Sequence, residues 1–142
     1  MNKLGEYFDW ICSGIGAICA WFLGGADGLL IALVTFTAMD YVTGVLAAAV
    51  QHKLSSGVGF KGIIKKIVIF VLVGITHIID RQFLGQTAVI RDAVILFFCA
   101  NEGVSILENA DNIGVPIPDK LRELFLQMKN KDKKDEEKKA AS

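Results

Sequence analysis

Four apolar stretches interrupt an otherwise polar chain: Trp10 to Leu23, Gly28 to Val50, Gly62 to Ile79 and Ala93 to Leu107. None alternates with the period of two expected of a half-buried strand, and open backbone cannot face hydrocarbon, so each reads as a helix. A helix rises about 1.5 Å per residue and a bilayer's apolar core is about 30 Å thick, so about 20 residues cross it. Gly28 to Val50 is long enough unaided. Gly62 to Ile79 crosses if Lys65 and Lys66 snorkel to the interface. The first and fourth stretches are short, and need flanking polar residues inside protein or a locally thinned bilayer. The pattern predicts an all-α fold, a polytopic transmembrane helical bundle of four membrane helices.

The first stretch has a competing reading. Lys3, an apolar run and then Gly24-Gly25-Ala26 imitate a cleavable signal peptide. Glu6 and Asp9 are out of place in a basic leader, however, and Gly16, Ala20 and Gly24 recur at the four-residue step that suits close helix packing. Retention as a membrane helix is the expectation; lying on the surface as an amphipathic helix is the other arrangement. After the fourth stretch, Gly114-Val115-Pro116-Ile117-Pro118 stops the helix and forms a rigid turn. Leu121, Leu124, Phe125 and Met128 then follow at helical spacing, predicting a short amphipathic helix begun by Asp119 on the membrane's inner surface. The organisation expected is a transmembrane domain over 1–110, a juxtamembrane turn and helix over 111–128, and a disordered charged tail over 129–142.

Composition supports two solvents. Hydrophobic residues make up 53% of the 142, and charged residues 21%. That charge is concentrated toward the C-terminus, and the long apolar stretches carry almost none. The formal net charge of zero therefore averages unlike regions and says little about partners. Lys53, Lys61, Lys65 and Lys66 form a basic group with no acidic residue between Gln51 and Lys66. Lys120, Arg122 and the lysines of the tail form a second. Four spans with both termini in the cytoplasm place both groups inside, as the bias of basic residues requires.

Asp40 is the most unusual residue. It falls near the middle of the second stretch, roughly 16 Å from either end. A carboxylate at that depth costs about 2.5–3.5 kcal/mol on insertion scales, so it should face protein or water. Thr37, Asp40, Gly44, Ala47 and Gln51 share one small, polar helix face at steps of three and four. The fourth stretch carries a matching stripe of Glu102, Ser105 and Asn109, with Asn101 and Glu108 beside it. Thr37, Asp40, Gly44, Glu102, Ser105 and Asn109 are therefore candidate pore or helix-interface residues, while Lys53, Lys61, Lys65 and Lys66 are candidate membrane-surface residues. The plainer alternative is a protonated Asp40 packed in an interface with no further role, with Glu102 read the same way. Glu108 and Asn109 then meet ordinary interfacial solvent. His77 reads as a hydrogen-bonded interface residue, having no second His nearby.

No catalytic, cofactor or metal site emerges. Gly57-Val58-Gly59-Phe60-Lys61-Gly62 matches a dinucleotide-binding string in letters, but a membrane helix precedes it where a strand is needed. Asp80 falls at the outer boundary, too far from a mid-membrane Asp40 to share a proton as a catalytic dyad. Cys12, Cys19 and Cys99 all lie in apolar runs, as small packing residues do.

Particular strings go further. Asp40-Tyr41-Val42-Thr43-Gly44, the segment Lys53 to Gly62 with Lys65-Lys66, and Asp80-Arg81 resemble the phage-lysis and toxin-secretion holin family. Asn101-Glu102-Gly103-Val104-Ser105-Ile106-Leu107-Glu108-Asn109, followed by Gly114 to Pro118, is the most specific part, and the resemblance covers Leu29 to Leu124. It implies a homo-oligomeric, pore-forming, non-enzymatic protein of the host's cytoplasmic membrane. Such a protein opens lesions that release a cell-wall hydrolase (an endolysin) or a large toxin, with no required direct contact to that cargo. Lipid and further copies of itself are the partners implied, not nucleic acid. A small accessory or channel subunit of a transport complex is the competing function.

Overall fold

The computed structural model describes residues 3–124, 126 and 127. The charged tail, Phe125 and Met128 lie outside the described residues. Four long helices follow in order: α1, Lys3–Leu23; α2, Gly28–Val50; α3, Ser56–Phe83; and α4, Val89–Ile113. Residues 119–124, 126 and 127 are helical, and no strand occurs among the described residues. The expected all-helical class holds, and α2 has the bounds of its apolar stretch.

The other three helices outrun their apolar stretches, and in α3 and α4 local capping rather than hydropathy decides where they begin. Asp27 caps α2 by accepting from the Leu30 amide at 2.9 Å. Ser55 caps α3 by accepting from the Val58 amide at 3.3 Å, seven residues before the apolar run opens. Each satisfies an amide that the first turn leaves free. Ala88 has no side chain to cap α4. Asp80 of α3 does so from a distance, accepting from the Ile90 amide at 3.1 Å and the Arg91 amide at 2.8 Å. Gly114 ends α4 in the left-handed region, φ 90°, where a side chain would be strained.

Two helices, α2 and α3, are long and apolar enough to cross a bilayer, against the four expected. The short stretches behind α1 and α4 are extended by segments that carry charged residues among the apolar ones. The charged residues are Lys3, Glu6 and Asp9 in α1, and Arg91, Asp92, Glu108 and Asp111 in α4. In both α2 and α3 only 17% of the most apolar stretch is buried inside the protein. A core helix of a soluble domain would be mostly covered. Here Ile31 of α2 and Ile67 of α3 are 57% and 58% exposed, whereas Leu33 and Val73 are completely buried. Apolar residues thus cover the outside of the bundle as well as its core, the arrangement expected where the surrounding medium is lipid.

The pairings of α2, α3 and α4 fix their directions. Asp27 meets Arg91 and Asp40 meets Asn109, so α2 and α4 run the same way. Asp80 meets Arg91 and Lys66 meets Asp40, so α3 runs against both. The interior is layered. A polar layer of Asp27, Asp80 and Arg91 lies at one end. Leu30, Leu33, Ile69, Val73 and Ile95 form the apolar core beside it. A second polar layer, built on Asp40, follows. Helix α1 has no buried residue and joins α3 near its C-terminal end. Gly74 makes that joint, because a Cβ there would collide with the Phe22 ring.

Candidate polar site

The second polar layer brings together three helices. Lys66 Nζ lies 2.6 Å from Asp40 Oδ2 and 2.6 Å from Glu102 Oε2. Asn109 Nδ2 donates to Asp40 Oδ1 at 2.9 Å, to the Asp40 carbonyl at 3.2 Å and to Thr43 Oγ1 at 3.0 Å. Asp40 thus accepts from α3 and α4 at once. Glu102 is buried at 3% exposure, while Lys66 and Asp40 are partly so. Gly44, one turn beyond Asp40, gives Asn109 its room: a Cβ there would stand 3.5 Å from Asn109 Nδ2.

Helix geometry explains why Lys66 turns inward. Lys65 and Lys66 are adjacent, so they point about 100° apart on a helix and cannot both face one surface. Starting α3 at Ser56 puts Lys66 ten residues in, about 15 Å along the axis. Lys53, Lys61 and Lys65 are exposed, whereas Lys66 is half-buried. Sequence alone makes Lys66 a candidate membrane-surface residue; the structure instead pairs it with two carboxylates inside the bundle, one ammonium against two carboxylates.

The remaining candidates are locally satisfied. Thr37 Oγ1 donates to the Leu33 and Val34 carbonyls, each at 2.9 Å, and Ser105 Oγ donates to the Asn101 carbonyl at 3.2 Å. Neither reaches another helix. Asn109 does, so it meets protein rather than the interfacial solvent of the plainer alternative.

A cavity of about 320 Å³ leads to this layer between α2 and α3. Asp40, Lys66 and Asn109 form its polar floor, and Tyr41, Gly59 and Lys65 stand along its sides. Gly59 allows the narrow passage, since a Cβ there would lie 3.4 Å from the Tyr41 hydroxyl. The cavity extends to Leu54, in the turn that carries Lys53.

The apolar pattern gives no sign of the first polar layer, because Asp27 and Arg91 both fall between the apolar stretches. Arg91 is 2% exposed. Its guanidinium donates to Asp27 at 2.7 and 3.1 Å, to Asp92 at 3.0 Å, and to the Leu23 and Gly25 carbonyls at 2.7 and 3.3 Å. One side chain thus ties the α1–α2 turn to the start of α4. The Arg91 hydrogen bonds hold the Asp27 carboxyl below the usual carboxylate range, with partial burial opposing them. The signal available in the sequence was the glycine pair Gly24-Gly25, whose φ values of 85° and 94° bend the chain tightly enough to present those carbonyls.

No group of residues able to hold a metal ion occurs among the described residues. What the second layer can do is hold charge inside an apolar shell and offer it a polar route outward.

The chain is 47% identical to an uncharacterized protein of Listeria monocytogenes over 125 residues, 88% of this chain and 89% of the relative. It is 37% identical to an uncharacterized 14.9 kDa protein in the nagH 3′ region of Clostridium perfringens over 131 residues, 92% and 99% of the two chains. An uncharacterized protein of Halalkalibacterium halodurans is 36% identical over 129 residues, 88% and 96% of the two. No solved structure matches the chain. The model of the bacteriophage holin family matches residues 17–130, from the last two turns of α1 to beyond the helical segment that follows α4, and this membrane protein belongs to that family.

Proposed function

We propose that this protein acts as a holin: copies of it accumulate in a bacterial cytoplasmic membrane, associate, and open lesions that release a cell-wall hydrolase or a large toxin. The observation that carries the reading is the Asp40–Lys66–Glu102–Asn109 layer, closed inside a bundle whose outside is apolar. Packed this way the polar side chains hydrogen-bond one another inside a bundle whose outer surface is largely apolar. Rearranged between copies, the same faces would line water, which lipid rejects. Family membership supplies the class of process. In this reading all four helices lie in the membrane, with α1 and α4 carrying their polar residues against protein. The basic groups put the C-terminus in the cytoplasm, and the protein itself performs no catalysis.

The test is to induce the gene alone in a bacterium that also makes a cytoplasmic cell-wall hydrolase. Membrane potential and hydrolase escape are followed together. Abrupt depolarisation with escape of the folded hydrolase is expected. Membrane-inserted protein that leaves both unchanged would overturn the reading and favour an accessory subunit of a transport complex. A reporter active only outside the cytoplasm, fused after Ser142, should stay silent.

A further inference from the structure

The charges of the second polar layer do not balance. Two carboxylates, Asp40 and Glu102, share one ammonium, Lys66, at 2.6 Å each. Asn109 adds hydrogen bonds but no charge. With all three ionised the layer carries one uncompensated negative charge, with Glu102 at 3% exposure. An interior of low dielectric does not hold such a charge when a proton can remove it. A metal cation is a poor remedy, because the Lys66 ammonium already occupies the place between the carboxylates where a cation would sit. A proton needs no room, only a carboxylate oxygen.

We infer that Asp40, Lys66 and Glu102 form a binding site for a single proton, shared by the two carboxylates and exchanged with water through the cavity between α2 and α3. On binding, a hydronium ion in the cavity gives its proton to a carboxylate oxygen and leaves as water; release is the reverse. The bound form is neutral and suits the closed bundle. The released form leaves a net negative charge that only water or rearrangement can accommodate. Protonation therefore couples the chemistry of the adjoining solution to the packing of α2, α3 and α4. The other ionisable groups facing the layer are Tyr41 of α2 and Lys65 of α3, along the cavity, and Cys99 of α4, one turn from Glu102. Helix α1 joins α3 near Phe22, toward the opposite polar layer, and its described contacts bring no charge to this one.

The inference needs the bundle to sit in a bilayer but does not need it to lyse cells, so its test is spectroscopic. The full chain in lipid nanodiscs is followed by infrared spectroscopy at neutral pH, reading the carbonyl stretch of protonated carboxyl groups. The wild type should show such a band. Asp40→Asn and Glu102→Gln should each abolish it, because each leaves one carboxylate to one ammonium. Lys66→Met should raise it about twofold, because two carboxylates then lack any cation. Both amide substitutions keep shape and hydrogen bonding, so the proposal does not depend on any one variant folding. Absence of the band in the wild type would overturn the site. So would a band that survives both amide substitutions, or one that only a single substitution removes, which marks a fixed neutral side chain rather than a shared proton.

Discussion

The Arg91 amide donates to the Asp80 carboxylate at 2.8 Å, while the Arg91 guanidinium turns away to Asp27 at 2.7 Å. One residue is thus held by its backbone to α3 and by its side chain to the α1–α2 turn. Helix α4 has no cap of its own, so its first turn depends on a carboxylate eleven residues upstream. Asp80→Ala frees two amides at once and should destabilise the protein by about 1–2 kcal/mol, the range of a lost cap. Asp80→Asn, which keeps one acceptor oxygen, should lose less. Equilibrium unfolding in a mild detergent measures both, and equal losses would show that the contact is not a cap.

Asp27 makes stability depend on acid. Its carboxyl is held below the usual range, chiefly by hydrogen bonds from Arg91. A group whose folded value is depressed contributes stability above its unfolded value, about 3.9 for Asp, and loses it as pH falls through the folded value. The contribution should therefore be constant from neutrality down to about pH 4 and decline below it. Because the Asp27 side chain is 48% exposed, solvent screens it and the decline should be shallow. Asp27→Asn should remove that part of the acid arm. Hydrogen exchange at residues 24–30, followed from neutral to acid pH in both proteins, would reveal a decline that persists in the variant and so belongs to other groups.

Much of this was legible in the chain, for reasons that also explain the gaps. Helix α2 keeps the bounds of its apolar stretch because Asp27 stands where hydropathy changes and also caps the helix. Asp40 and Glu102 stand out because nothing else so polar lies so deep in apolar surroundings. Lys66 did not, because a lysine beside another lysine reads as a surface pair until the cap at Ser55 sets the true depth of α3. Arg91 was hidden for the opposite reason. Placed between short apolar stretches it looks like a loop residue, and its tertiary contacts with Leu23, Gly25 and Asp27 bury it. Hydropathy reports one residue's solvent and is blind to a partner far along the sequence.

Helix α1 meets α3 at a close approach of Phe22 to Gly74, and Arg91 holds its last residue, Leu23. The Phe22 ring occupies the space that a side chain at position 74 would fill, and residues 3–19 of α1 are exposed. Gly74→Val should therefore release α1 from α3 and leave the α2–α4 core intact. Spin labels on Cys19 and Cys99 report the separation directly; the distance should lengthen and broaden in the variant. A single unchanged distance would mean that the helix is held elsewhere. Replacing Phe22 with Ala should have the same effect in milder form, since it removes the ring and leaves Gly74.

The strongest prediction concerns the partners of Lys66. Lys66→Met strips two carboxylates of the cation they share, one of them at 3% exposure. Breaking a buried ion pair by removing one partner costs about 3–5 kcal/mol, because the other partner is left uncompensated. Lys66 is only partly buried, so the lower part of that range applies. Lys66→Arg keeps the charge but is wider and planar, and should lose less. The informative comparison is the combined variant Lys66→Met with Glu102→Met. Replacing a buried pair by apolar residues of similar volume is often neutral. It should therefore recover most of the stability that Lys66→Met loses, while Asp40 keeps its hydrogen bond from Asn109. The recovered protein tests the proposed function as well. It would be stably folded yet lack most of the polar layer, so it should insert and associate without admitting water. If it depolarises membranes on the wild-type schedule, the buried charges serve packing alone and the lesion is lined by other residues.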